Sequence, residues 1–177
     1  MKIREFQKTI PGQEEKKLCK FYQYVSENSE HMGQFGKWIY GLHPTTEQIE
    51  IYIQSGFMYS FDEGGEILGA VAITPFQGAE YRYADWQMAC RDKEVSVVHL
   101  LGVNPYHQGC SIAREIMGHT IDIARNHGSK AIRLDALTCN IPAHRLYQSL
   151  GFQQRGVCNW YADNVGKAEF YLFELLL

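Results

Sequence analysis

The chain has 177 residues, with 17 Lys+Arg against 20 Asp+Glu for a formal charge of −3, and is 45% hydrophobic and 21% charged. The length fits one domain over residues 1–177, and the acid excess argues against a bulk nucleic-acid binder or a polybasic membrane-surface protein, both of which need a basic stripe. Aromatic residues are plentiful, with 11 Tyr, 9 Phe and 3 Trp, and they fit either a core or an aromatic-lined pocket.

In chain order, Lys2 to Lys8 reads as a short strand and Gln13 to Asn28 as an amphipathic helix with Leu18, Phe21, Tyr22 and Val25 on one face. Ser29 to Leu42, rich in Gly and aromatics, reads as irregular or weakly helical. Pro44-Thr45-Thr46-Glu47 opens a helix to Gln54 behind a Thr cap. Phe57 to Phe61 and Glu66 to Thr74 form a hairpin through Asp62-Glu63-Gly64-Gly65. Val95 to Val103 is a dense apolar strand that ends at Asn104-Pro105. The helix Ile112 to Asn126 carries Ile112, Ala113, Ile116, Met117, Thr120, Ile121 and Ala124 at i, i+3/i+4 spacing and closes at Gly128. A strand from Lys130 to Leu137, a helix from Pro142 to Leu150, and strands Gln153 to Tyr161 and Lys167 to Leu176 complete the chain. The order β-α-α-β-β-β-α-β-α-β-β predicts an α/β fold with one mixed sheet and helices on its faces. The apolar end, Phe170 to Leu177, is either a core strand or the edge of a homodimer.

Cys19, Cys90, Cys110, Cys139 and Cys158 are odd in number and contain no C-x-x-C pair, which argues against a zinc ribbon or a disulfide framework. No metal site is expected. The first residues, MKIREFQKTIPGQEEKK, hold no apolar run of signal-peptide length, so a cytoplasmic protein that does not cross a membrane is expected.

Two segments carry chemistry. In the first, a buried strand runs through a small-residue loop, Gln108-Gly109-Cys110-Ser111, into the start of a helix at Ile112 and Ala113. The first helical turn leaves up to four N–H groups unpaired, and the helix dipole adds about half a positive charge there. Such a turn can cradle a pyrophosphate without a basic patch. It is neither a P-loop nor a dinucleotide fingerprint, because G-K-[ST] and G-x-G-x-x-G are both absent. The second segment, Asn140 to Phe152, puts Asn140 and Tyr147 seven residues apart, about two helical turns, on one side of a groove.

Together these segments resemble the GNAT N-acetyltransferase superfamily. Val103 to Ala113 looks like its V-x-P-x-x-Q-x-x-G-x-A motif, and Asn140 to Phe152 like its N-x-x-A-x-x-L-Y-x-x-x-G-F motif. The resemblance implies a mostly antiparallel sheet splayed at a β-bulge, and acetyl-CoA as cosubstrate. It implies that pantetheine pairs with the backbone of Leu101, Gly102 and Val103. The pyrophosphate would sit on Gln108, Gly109, Cys110, Ser111, Ile112 and Ala113. Asn140 would contact the cofactor and Tyr147 would lie near the thioester sulfur. One residue departs from the pattern: the family has Gly where this chain has Ser111. If that position needs φ > 0, Ser costs on the order of 1 kcal/mol.

Acetyl transfer to an amine needs a proton acceptor, because a free alkylamine titrates near 10.4, like lysine. The resemblance offers His99 and Asp135, with a water relay as the third route. His99 also reads as a core histidine, and Asp135 as a partner of Arg133. Tyr147 is the expected general acid toward the CoA thiolate, and a backbone N–H between Leu101 and Val103 the oxyanion donor. Phe35, Trp38, Tyr40, His43, Trp160 and Tyr161 are candidates for the acceptor pocket, where a cationic or aromatic amine would be held by cation–π contact. The expected partners are thus acetyl-CoA and a small-molecule or peptide amine. The rivals are a CoA-binding sensor or inactive interaction module, and an acyltransferase using another acyl-CoA.

Overall fold

The computed structural model describes residues 4–177. Its elements are β1 (Arg4–Lys8), α1 (Glu15–Asn28), α2 (Thr46–Gln54), β2 (Met58–Glu63), β3 (Glu66–Thr74), β4 (Val95–Val103), α3 (Ile112–Asn126), β5 (Ala131–Leu137), α4 (Ile141–Ser149), β6 (Gln153–Ala162) and β7 (Gly166–Leu176). Among the described residues the seven strands make one sheet in the order β1-β2-β3-β4-β5-β7-β6, in which only the β4–β5 pair is parallel. The order of elements along the chain matches the one read from the sequence. Lys2 and Ile3, assigned there to the first strand, lie outside the described residues.

Local chemistry explains the boundaries. The Thr45 hydroxyl accepts the Gln48 N–H while the Gln48 side chain accepts the Thr45 N–H, each at 3.0 Å, so α2 opens on a full capping box. The hairpin turn is tighter than its four-residue signal suggests. Gly64 and Gly65, with φ of 60° and 86°, make it alone, in the left-handed pair that matches strand twist. β7 lies between β5 and β6, with Phe170, Leu172 and Phe173 buried, so the apolar end is an interior strand with no free edge.

The two faces of the sheet are covered differently. On one, α3 and α4 set Ile112, Ile116, Met117, Tyr147 and Phe152 against Val71, Ile73, Val98, Ile132, Leu134 and Phe173. On the other, α1 and α2 bury Leu18, Phe21, Tyr22, Ile49 and Ile53 over Met58, Ala70, Ala72 and Leu100. The rest of that second face has no helix. Residues 75–94 cover it, with 3₁₀ turns at Ala79–Tyr83 and Asp92–Glu94, and Tyr81 packs on Val95, Val97 and Leu172.

The sheet opens in its middle. The β4–β5 ladder ends at Val97↔Arg133. On the other side of β4, Ala70 faces Gly102 and Ala72 faces His99, so β4 carries one extra residue. Leu100, at φ 51°, makes this bulge. The bulge turns β4 away from β5 and leaves a cleft between them. Among the described residues no helix is long and apolar enough to cross a membrane, and the five cysteines are free.

Candidate active site

A cleft of about 950 Å³ runs through the splay. Residues of β4 from Val98 to Leu101 with Val103, and of β5 from Asp135 to Leu137, line it, together with residues of α3, α4 and the segments 29–43 and 78–81.

At the α3 end, Gln108, Gly109, Ser111, Ile112 and Ala113 line the cleft. Ser111 is the residue before the helix and sits at φ 64°, so the positive φ that makes serine costly there is present. Its hydroxyl caps nothing. By contrast, α4 is capped by Asn140 Oδ1, which accepts the Ala143 N–H at 3.3 Å. The first-turn N–H groups of α3 have no side-chain cap and face the cleft, a donor set that fits a pyrophosphate. Arg114 lines the same end. Loop 104–108 is held from two sides. Asn104 Nδ2 donates to Glu66 Oε1 at 3.3 Å, and Gln108 Nε2 donates to Ser29 Oγ at 3.0 Å.

Leu101, Val103, Asn140 and Tyr147 also line the cleft, but Gly102 and Cys110 do not. Gly102 follows strand alternation onto the α1 side, where an added Cβ would meet the Tyr22 ring at 3.3 Å. Cys110 is exposed.

Three candidate proton-transfer side chains line the cleft. Asp135 is half-buried on β5 and accepts a 2.8 Å hydrogen bond from the Tyr81 hydroxyl. Burial lifts its carboxyl from 3.8 to about 6, against the opposing pull of that hydrogen bond. It does not pair with Arg133, whose guanidinium is bound to Glu174 instead. His99 lies on β4, stacked on Tyr52 with ring centroids 5.8 Å apart. Its Nε2 is 3.1 Å from Thr74 Oγ1, whose own hydroxyl donates to the Phe76 carbonyl at 3.0 Å. With that proton committed, Thr74 accepts from Nε2–H, which assigns the free lone pair to Nδ1. Burial pulls the imidazole down to about 4. Tyr147 is 7% exposed between Phe152 and Phe173, and burial beside Asp135 pushes its phenol well above the ordinary value.

Of the aromatic candidates, Phe35, Trp38, His43 and Trp160 line the cleft, whereas Tyr40 and Tyr161 do not. Tyr40 bonds Thr46 at 2.8 Å, and Tyr161 is 72% exposed. Tyr52, Glu80 and Tyr81 line it without having been foreseen. Tyr52 falls on the α2 pattern as one more helical aromatic. Glu80 and Tyr81 lie in a stretch with no periodicity to mark them.

The acetyltransferase (GNAT) family profile matches residues 19–152, about three quarters of the chain. The protein belongs to the GNAT acetyltransferase family. The match extends beyond both motifs into α1. Among curated proteins, the N-alpha-acetyltransferase RimI of Mycobacterium tuberculosis is 38% identical over 60 residues, 34% of this chain and 36% of that one. The matched segments span 20% to 39% of the curated relatives' lengths. In fold, the chain resembles a GNAT acetyltransferase of Streptococcus pneumoniae, with TM-score 0.70, 20% identity and coverage of 99% of this chain and 100% of that one. It also resembles yncA of Salmonella typhimurium, whose structure was determined with its cofactor acetyl-CoA, with TM-score 0.69, 17% identity and coverage of 98% and 94%.

Proposed function

We propose that this GNAT protein works as a single domain that transfers the acetyl group of acetyl-CoA to a primary amine by direct attack in a ternary complex. The carrying observation is the splay. Beyond Val97 β4 has no β5 partner, so its backbone is free to hold an extended arm between the uncapped start of α3 and the Asp135–Tyr147 region. A GNAT neighbour determined with acetyl-CoA adds support for that cosubstrate.

Each role follows from a side chain's environment. The first-turn N–H groups of α3 hold the pyrophosphate, and the β4 backbone at Leu101 and Val103 orients the pantetheine arm. Asp135 takes the amine proton as nitrogen attacks the acetyl carbonyl carbon. A general base works best with a pKa near the operating pH, which favours a carboxyl at about 6 over an imidazole at about 4. Tyr147, protonated throughout the working range, donates its hydroxyl proton to sulfur as the C–S bond opens. A β4 backbone N–H beyond the bulge takes the developing oxyanion. The proton gained at Asp135 balances the one lost at Tyr147, and exchange with solvent restores both. Phe35, Trp38, Tyr52 and Trp160, with the Glu80 carboxylate at the rim, suit a cationic amine.

The test is calorimetry with acetyl-CoA followed by thiol release across an amine panel. Micromolar binding with thiol release on at least one amine is expected. Binding without release on any amine would make the protein a cofactor sensor, and no binding would remove the reading altogether.

A further inference from the structure

Residues 75–94 form a twenty-residue excursion whose only regular structure is its two 3₁₀ turns, yet it carries Glu80 and Tyr81 into the cleft. Segments of this length without a helix or strand are uncommon inside a domain and need a specific anchor. Arg155 on β6 holds it at one point, where the Asp85 N–H donates to the Arg155 carbonyl at 2.9 Å and Arg155 Nε donates to the Asp85 carbonyl at 2.7 Å, and the buried anchor is an ion pair. Arg133 on β5 and Glu174 on β7 face each other in register, with side chains 2% and 1% exposed. Glu174 Oε1 accepts from Arg133 Nε at 3.0 Å and from Nη2 at 2.9 Å.

The pair's other side-chain hydrogen bonds and its cation–π contact reach the excursion. Arg133 Nη1 donates to Gln77 Oε1 and Nη2 to the Met88 carbonyl, both at 2.5 Å. Its guanidinium lies 4.1 Å from the centroid of the Trp86 ring. Glu174 Oε2 accepts the Gln87 N–H at 2.8 Å. From there the path to the cleft is short. Trp86 Nε1 donates to the Tyr81 carbonyl at 2.7 Å, and the Tyr81 hydroxyl donates to Asp135 at 2.8 Å.

We propose that Arg133 and Glu174 are positioning residues, which act through Gln77, Trp86, Gln87 and Met88 to hold Tyr81 on the carboxyl of Asp135. The inference rests on Asp135 being the proton acceptor of the proposed reaction. The pair lies two residues along the strands from Asp135 and its β7 partner Leu172, on the same sheet face. Its charges are satisfied by each other and by the excursion, which brings Glu80 and Tyr81 to the site, and of these two Tyr81 is the one hydrogen-bonded to Asp135. The groups facing Asp135 are Tyr81 and Glu80 from the excursion, Tyr52 from α2 and Tyr147 from α4, and His99 on β4 lines the same cleft. Of these, Tyr81 donates the hydrogen bond that favours the ionised carboxylate, while Glu80 opposes ionisation.

The test follows Asp135 by carboxyl ¹³C NMR titration of the whole chain, which needs neither cofactor nor amine. The pH profile of transfer is the second readout. Tyr81→Phe is expected to raise the Asp135 midpoint by about one pH unit, the effect of losing one hydrogen bond to a charged group. The double variant Arg133→Met with Glu174→Leu leaves no buried charge unpaired, and it is expected to move the midpoint in the same direction through the released Tyr81. Trp86→Phe keeps the ion pair but removes the indole N–H from the Tyr81 carbonyl. It is expected to give a smaller shift of the same sign, and it decides the matter if the double variant does not fold. The acid limb of the transfer profile should move with the midpoint. A native Asp135 midpoint in a folded double variant, or in Trp86→Phe where the double variant is unfolded, would overturn the positioning role. The expected NMR shifts in a protein that transfers nothing would overturn the proposed reaction and leave the positioning role intact.

Discussion

The Tyr22 hydroxyl donates a 2.8 Å hydrogen bond to the Leu100 carbonyl, tying α1 to the bulge that opens the sheet. Tyr22 is fully buried, so Tyr22→Phe leaves that carbonyl without this donor in a dry environment. A loss of about 1–3 kcal/mol is expected in denaturant unfolding, together with weaker acetyl-CoA binding by calorimetry. Unchanged affinity in a destabilised protein would show that the bulge holds its shape without α1. The positive φ of Leu100 makes Gly attractive there, but the magnitudes decide otherwise. Relief of about 1–2 kcal/mol in the backbone is outweighed by about 2–5 kcal/mol for removing a buried leucine side chain.

The framework was legible because its signals are periodic. α3 and β4 have the boundaries read from the sequence, and both motif segments come together at one cleft. What escaped was held by single tertiary contacts. Nothing in Pro75 to Glu94 announces that Tyr81 reaches Asp135, because its partner is 54 residues away. Proximity along the strand makes Arg133 a candidate partner for Asp135, but the β5–β7 register sets it opposite Glu174. Gly102 belongs to the motif strand and still faces α1, because a bulge redirects side chains that a linear pattern treats as continuous.

At the loop, Ser111 carries a conformational cost that glycine would not, since it sits at φ 64° with no cap bond in return. Ser111→Gly is expected to change stability by about 0–1 kcal/mol in the favourable direction, the gain in φ being partly offset by unfolded-state entropy. Acetyl-CoA affinity is expected to hold or rise. A several-fold weaker Kd would instead give the Ser111 hydroxyl a direct role on the phosphates.

Asp135 makes stability depend on pH with a definite sign. Its folded pKa of about 6 lies above the ordinary 3.8, so between those values the folded state holds the extra proton. Stability therefore falls as pH rises through this window, and the penalty is complete above about pH 6. Asp135→Asn keeps an acceptor for the Tyr81 hydroxyl and abolishes the penalty. The variant is expected to be about 3 kcal/mol more stable than the native protein near pH 7 and no more stable near pH 3. Chemical denaturation at the two pH values checks this.

The same carboxyl sets the expected rate profile. With Asp135 as proton acceptor, kcat/KM rises with pH through about 6, whereas an acid limb near 4 would move the role to His99. Asp135→Asn should remove the limb at 6 and lower kcat by about 10²-fold or more.

Tyr147→Phe keeps the ring against Phe152 and Phe173 and removes only the hydroxyl. A drop of about 10²-fold in kcat is expected, with KM for acetyl-CoA and the melting temperature little changed. Equal turnover of the two proteins across pH would end the assignment of Tyr147 as the acid.

The most direct measurement is a crystal structure of the protein with CoA. The predicted result places pantetheine along β4 at Leu101 and Val103, in the gap beyond Val97↔Arg133, with the pyrophosphate on the first-turn N–H groups of α3 and the thiol beside Tyr147. A CoA molecule bound outside the splay, or a thiol directed away from Tyr147 and Asp135, would contradict it.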